Sequence, residues 1–152
     1  CYAPLFSLVG GEQWKHNLLN FNPAHVLRTT NYYVQKMFGT TVGDNFVKMM
    51  GELPAGVYAS ATATTEKLVI KLVNTNETPA NAELNLSNVL DGKAEIEYLQ
   101  NDDLQAANSL PFKGEPVYSV TPKTQEILVR DGKAALVMEK YSIYVVTVKV
   151  VR

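Results

Sequence analysis

Residues 57–75 read VYASATATTEKLVIKLVNT. Leu68, Ile70 and Leu72 alternate with Val69, Lys71 and Val73, a period of two. That period belongs to a pleated strand, because successive side chains point to opposite faces. The segment on either side of Thr65-Glu66 therefore reads as a β-hairpin. The same pattern continues downstream. In NAELNLSNV (81–89), Ala82, Leu84 and Leu86 share one face and Glu83 and Asn85 the other. In KAEIEYLQ (93–100), Ala94, Ile96 and Tyr98 oppose Glu95, Glu97 and Leu99, with Asp91-Gly92 expected as the turn joining the two strands. The last strands come from QEILVRDGKAALVMEKYSIYVVTVKVVR (125–152), with a tight turn at Asp131-Gly132. Short alternating strands with regular turn signals predict a mainly β fold, an antiparallel, jelly-roll-like β-sandwich. A longer polar loop, NDDLQAANSLPFKGEPVYSVTPK (101–123), interrupts it.

The chain before residue 56 has a different texture. CYAPLF (1–6) reads as a short buried strand, and residues 7–29 as a long loop with turn signals at Gly10-Gly11 and Asn22-Pro23. In TTNYYVQKMFGTT (29–41), Tyr33, Val34, Met37 and Phe38 fall on one helical face, between a Thr29 or Thr30 N-cap and a Gly39 C′ position. A helix of about two turns is marginal alone and must pack on a partner. Residues 39–56 read as a connector broken by Gly43 and Pro54-Ala55-Gly56. A strand, a loop and one helix are not a self-sufficient domain. They read as the end of a larger α/β domain in which a strand is followed by its covering helix. The expected division is 1–55 and 56–152, and Cys1 is expected to be a mid-chain position with an inert thiol.

Composition narrows the chemistry. A chain of 152 residues with a hydrophobic fraction of 46% has material for one core. The net charge is −1 and no stretch concentrates Lys and Arg, which argues against nucleic acid and anionic membranes as partners. No apolar run approaches the ~20 residues of a membrane span. The single Cys1 cannot form an internal disulfide, and His16 and His25 are nine apart with no acid at ligand spacing, so no metal site and no cofactor are expected. There is no G-x-S-x-G elbow and no phosphate-binding glycine spacing. Glu12, Asp44 and Glu52 lie in loops, and Glu83, Glu95 and Glu97 take outward strand positions. No complete catalytic set is present. Asn76-Glu77-Thr78 and Asn85-Leu86-Ser87 match the glycosylation acceptor pattern, which is common by chance. Trp14 is the only Trp, and its loop is where function tends to sit; it either stacks on a sugar face or plugs the loop against its own domain.

Taken in order, these segments resemble a known family. YAPLF, the QW and NLLNFN pieces of the following loop, and TTNYYVQKMF are similar to the end of the catalytic barrel in α-L-arabinofuranosidases of glycoside hydrolase family fifty-one. That family shows SYAPLF, then W…DLIYFN, then TPSYYVQKLF. GVYASAT with KLVIKLVNTNETP, NSLPFKGEPVYSVTP and YSIYVVTVKV resemble the hairpin, loop and closing strand of its accessory sandwich.

The resemblance implies a strand-loop-helix remnant of a (β/α)8 barrel followed by the sandwich. It implies a retaining parent enzyme that removes terminal α-L-arabinofuranosyl units from arabinan and arabinoxylan. Retaining chemistry needs two carboxyl groups about 5–5.5 Å apart. In the family both lie on barrel strands before YAPLF, so no catalytic residue is carried over to this chain. The loop after YAPLF borders the sugar pocket. There the resemblance implies substrate-binding roles for Trp14 and for Asn17, which stands where relatives have Asp or Gln. Lys15-His16, Asn20 and Arg28-Thr29 depart from the family pattern. The implied partners are an arabinose-containing polysaccharide or oligosaccharide and the remainder of the barrel. The sandwich would brace the barrel or mediate oligomer contacts. The alternative is a free-standing sugar- or protein-binding module, with Tyr98, Tyr118 and Tyr144 as its exposed aromatics. Compartment and homo-oligomeric state are not legible.

Overall fold

SIYVVTVK (Ser142–Lys149) pairs antiparallel on both sides and buries residues on both faces. In the computed structural model, which describes residues 5–12, 14 and 17–151, this strand is β11. The others are β1 (Phe6–Leu8), β2 (Leu19–Phe21), β3 (Val26–Arg28), β4 (Asn45–Val47), β5 (Val57–Ala63), β6 (Lys67–Asn74), β7 (Ala80–Asn85), β8 (Gly92–Gln100), β9 (Lys123–Val129) and β10 (Lys133–Met138). The helix α1 spans Thr30–Thr40. Cys1 and most of the expected strand at 1–6 lie outside the described residues, as do Lys15 and His16.

The chain divides into two compact units: residues 1–36 with 103–121, and residues 37–102 with 122–152. The second is the sandwich. A six-stranded sheet, ordered β4-β5-β6-β11-β8-β9, faces a two-stranded sheet of β10 and β7. The alternation read from sequence sets the inward residues. Leu68, Ile70 and Leu72 from β6, Ala94 and Ile96 from β8, and Tyr144, Val146 and Val148 from β11 meet Leu84, Ala134, Leu136 and Met138 from the smaller sheet. Glu83 and Glu95 point outward. The hairpin across residues 64–66 forms as expected, with Thr64 Oγ1 accepting from the amides of Glu66 and Lys67. The turn at Asp131-Gly132 has φ 49° and 68°, the pair of positive values a type I′ turn requires.

Four expectations are corrected. Asp91-Gly92 does not close a hairpin, because β7 pairs with β10 and β8 with β11 and β9. The chain between them crosses from one sheet to the other, and the Asp91 carboxylate accepts from the amides of Asp131 and Gly132. The connector contains β4, which pairs with β5. It comes so close that a Cβ on Gly43 would collide with the Ala63 backbone. α1 runs through Gly39 to Thr40 instead of stopping before it. The Phe38 carbonyl is taken by Lys71 Nζ at 2.6 Å, a cation at the negative helix end. Partial burial holds the Lys71 pKa below its ordinary value. Finally, Tyr144 is not an exposed sheet aromatic: it is 1% exposed and stacks on the half-buried Tyr98 at 5.3 Å between centroids.

One end of the sandwich is closed by a single buried amide. Asn74 Nδ2 donates to the carbonyls of Thr78 and Glu139, each at 3.0 Å, and its Oδ1 accepts from Asn76 N at 3.0 Å. It thereby ties the β6–β7 turn to the β10–β11 turn, where Ser142 Oγ also donates to the Glu139 carbonyl. Removing that amide leaves buried carbonyls unpaired, which costs about 1–3 kcal/mol per group. Asn74→Ala should therefore lower the unfolding free energy by about 2–4 kcal/mol. Asn81→Ala on the exposed face of β7 should change it by less than about 0.5 kcal/mol. Urea denaturation of the two variants against the parent sequence measures both.

Candidate functional site

The first unit is built on the three-stranded sheet β1-β2-β3. β1 and β2 run parallel, in register Phe6↔Leu19, and β2 and β3 antiparallel, in register Leu19↔Arg28. Residues 17–29 carried no clear period in the sequence, because strands of three residues are too short to show one. Leu27 is fully buried on one side, while Phe6 and Phe21 stack at 4.4 Å between centroids on the other. Thr29 starts α1, its Oγ1 accepting weakly from Tyr32 N at 3.4 Å, as the N-cap reading expects.

Part of the long polar loop belongs to this unit. Residues 103–121 group with it, and two asparagines show how. Asn22, 5% exposed, uses all four of its hydrogen-bonding positions. Its Oδ1 accepts from Ala24 N at 2.9 Å and His25 N at 2.7 Å. Its Nδ2 donates to the carbonyls of Pro111 at 3.0 Å and Gly114 at 2.9 Å. Asn108 Nδ2 donates to Arg28 O at 3.0 Å and Val120 O at 2.8 Å, and its Oδ1 accepts from Val120 N at 2.8 Å. Ser109 and Val117 exchange two backbone bonds, which closes the excursion into a narrow loop. Sequence reasoning saw Asn22 only as a turn signal. Its reach across some ninety positions has no local signature.

Asn17 behaves differently. It is 2% exposed, yet neither Oδ1 nor Nδ2 has a hydrogen-bond partner. Burying an amide without partners is unfavourable by about 1–3 kcal/mol per group. Asn20 Oδ1 and His25 Nδ1 are also buried and unpaired. All the buried unpaired side-chain atoms found among the described residues thus fall between 17 and 25. Trp14, by contrast, is 66% exposed, so its ring does not plug the loop. Both side chains named from sequence lie in the same unit, one buried with open valences and one projecting into solvent. Among the described residues, no group of three or more His, Cys, Asp or Glu side chains is placed to hold a metal ion, and no helix is long and apolar enough to cross a membrane.

Comparison with known proteins decides the family. The sequence profile of the α-L-arabinofuranosidase C-terminal domain matches residues 1–142. The chain belongs to that family. Probable α-L-arabinofuranosidases A from Aspergillus flavus and Aspergillus terreus are 32% and 29% identical to it, over 93% and 96% of its length. The chain spans only 22% and 23% of those two proteins. An arabinose-bound GH51 α-L-arabinofuranosidase superposes with a TM-score of 0.83 over 98% of the chain and 24% of its own length, at 23% identity. An arabinose complex of the Thermotoga maritima enzyme gives 0.74 over 88% of the chain and 32% of its own, at 17% identity. At these identities the structural likeness establishes the fold. As a member of this family, the chain carries the C-terminal β-sandwich anticipated from its alternating strands.

The Asn22 clasp makes a prediction of its own. Asn22→Ala should free the 111–114 turn, so limited trypsinolysis after the exposed Lys113 should accelerate. Amide exchange at Ala24 and His25 should rise about tenfold or more, the equivalent of one lost hydrogen bond. Unchanged exchange at both amides would rule out the clasp.

Proposed function

We propose that this chain is the C-terminal part of a retaining α-L-arabinofuranosidase. In this reading the parent removes terminal α-L-arabinofuranosyl units from arabinan or arabinoxylan. Residues 1–55 carry the last strand, loop and helix of the catalytic barrel and its connector, and residues 56–152, apart from the 103–121 excursion, form with β4 the sandwich that braces it. Both catalytic carboxylates belong to barrel strands outside this chain. Family membership supports the reaction class. The single observation that supports a sugar-facing role for the N-terminal loop is Asn17: a buried amide with both ends unpaired, in a stretch of sequence that also holds the unpaired Asn20 Oδ1 and His25 Nδ1.

A sugar hydroxyl both donates and accepts, so it can satisfy an amide oxygen and an amide nitrogen in turn. A site that leaves its own polar groups unpaired until substrate arrives discriminates strongly for that substrate. Trp14 supplies the complementary surface, since a flat exposed ring can cover the apolar face of a furanose. Of the aromatics considered for a free-standing binding module, Tyr144 is buried, Tyr98 half-buried and Tyr118 exposed.

Asn17→Leu in the full-length protein separates binding from folding. If the amide meets substrate, kcat/KM on a chromogenic arabinofuranoside should fall about ten- to a hundredfold, the equivalent of one or two hydrogen bonds. The melting temperature should hold or rise, since an unpaired buried amide is removed. Activity within twofold of the unsubstituted enzyme would sink the assignment of Asn17.

A further inference from the structure

We infer that β4, the open edge of the six-stranded sheet, is a self-association site: it pairs antiparallel with β4 of a second copy of this chain, about a two-fold axis at Phe46. The inference concerns the sandwich alone and does not depend on the arabinofuranosidase reading.

β4 is the terminal strand of its sheet, with β5 on one side and no strand on the other among the described residues. In an antiparallel ladder, hydrogen-bonded and non-hydrogen-bonded pairs alternate. At one end of the β5–β6 ladder Thr75 N donates to Gly56 O at 2.9 Å, and at the other Thr64 N donates to Lys67 O at 2.9 Å. Both bonds set the even-numbered residues of β5 as those bonded to β6. The odd-numbered Ala61 and Ala63 therefore turn their backbone groups toward β4, opposite Val47 and Asn45. Phe46, between those two, is left with its N–H and C=O directed at the open edge. Two copies related by a two-fold axis satisfy both groups at once, each Phe46 donating to the other's carbonyl.

The side chains favour the same pairing. Phe46 is 77% exposed, and an apolar ring in the middle of an open edge is a feature that sheet proteins ordinarily avoid. The sequence around it reads VGDNFVKMM (42–50). With Phe46 opposite its own copy, Asp44 falls opposite Lys48 of the partner subunit, and Lys48 opposite the partner subunit's Asp44. Both side chains are exposed, and neither has an ion-pair partner among the described residues. Two positions further out, the exposed Val42 falls opposite Met50 of the partner subunit, a residue 91% exposed in the single chain.

Opposite charges facing across strands are favourable and like charges unfavourable. A shift of the register by two residues would place Phe46 opposite Asp44 or Lys48 and break both ion pairs, so the segment complements itself in one register only. An edge guarded against its own copies would carry charges of one sign. This one carries one of each, at equal distances from its exposed ring. A pair of three-residue strands is small for a permanent interface, so the association belongs to the micromolar range.

The test is sedimentation velocity of the full-length protein over a micromolar concentration series, with Asp44→Lys, Lys48→Asp, the double swap and Phe46→Pro. The unsubstituted protein should associate reversibly, and less so as salt rises. Either single swap sets like charges opposite each other twice per dimer and should raise the dissociation constant about tenfold or more. The double swap should return it to within about threefold of the original, because the ion pairs are re-formed with their ends exchanged. Phe46→Pro removes both central hydrogen bonds and should abolish the association. Its melting temperature should change little, since the lost N–H faces the open edge, where a strand tolerates proline. A protein that stays monomeric, an association that these variants leave unchanged, or a double swap as weak as the single ones would overturn the inference. A lower melting temperature in the single swaps with no change in association would mean that another part of the same protein covers β4, and would overturn it as well.

Discussion

A buried side-chain amide offers four hydrogen-bonding positions, and in this chain the places where they are filled are the places that hold it together. Asn74 closes one end of the sandwich, Asn22 binds the 111–114 turn to the β2–β3 turn, and Asn108 fastens both strands of the excursion. Asn22 and Asn108 join backbone segments that no strand ladder connects, and Asn74 ties together two turns at the ends of the β6–β11 and β7–β10 ladders. Their contribution is large because the alternative is a set of buried carbonyls and amides with no partner, and that penalty exceeds the net gain of an ordinary bond. Apolar burial then stabilises what these amides align. In the sandwich it includes Tyr144, Val146 and Val148 of β11, one of four strands of the larger sheet paired on both sides.

Against that background Asn17 stands out by contrast. It has the same side chain and comparable burial, and neither end is satisfied. A chain that satisfies Asn22, Asn74 and Asn108 so fully has no general tolerance for orphaned amides. The concentration of unpaired atoms between residues 17 and 25 is therefore a local property of this loop. Sites that must meet polar groups of another molecule carry such a cost, because polar atoms pre-paired within the protein have little left to offer a ligand.

The sandwich was legible because its signal is local. Leu68, Ile70 and Leu72 announce their face within five residues, and the Asp131-Gly132 turn announces its type by composition alone. What failed was the assignment of partners. β7 and β8 are neighbours in sequence with a plausible turn between them, yet they lie in different sheets. Period fixes which side of a strand is apolar and says nothing about which strand lies beside it. The helix end failed for a related reason: Gly39 is a good stop signal, but Lys71, thirty-three residues away from Phe38, satisfies the last turn from outside. Trp14 and Asn17 could be named from residue type and family likeness, whereas the difference in their burial could not. The Asn22 clasp arises from contacts across about ninety positions, beyond any windowed reading.

The excursion also bears on how such a protein divides its labour. In the sandwich Tyr144 is internal while Phe46 of β4 and Tyr58 of β5 are exposed, and the outer face of β6, β11, β8 and β9 carries Lys67, Thr147, Glu95, Glu97 and Thr124 around an open cleft. A segment inserted between two of its strands, however, is free of the sandwich core and can be shaped by other requirements. Residues 103–121 use that freedom. They give up ladder pairing with β8 and β9 and take their order from Asn22 and Asn108 instead. A sandwich can thus release part of its chain to another compact unit without loosening its own packing, since residues 103–121 supply no side chain to the sandwich core.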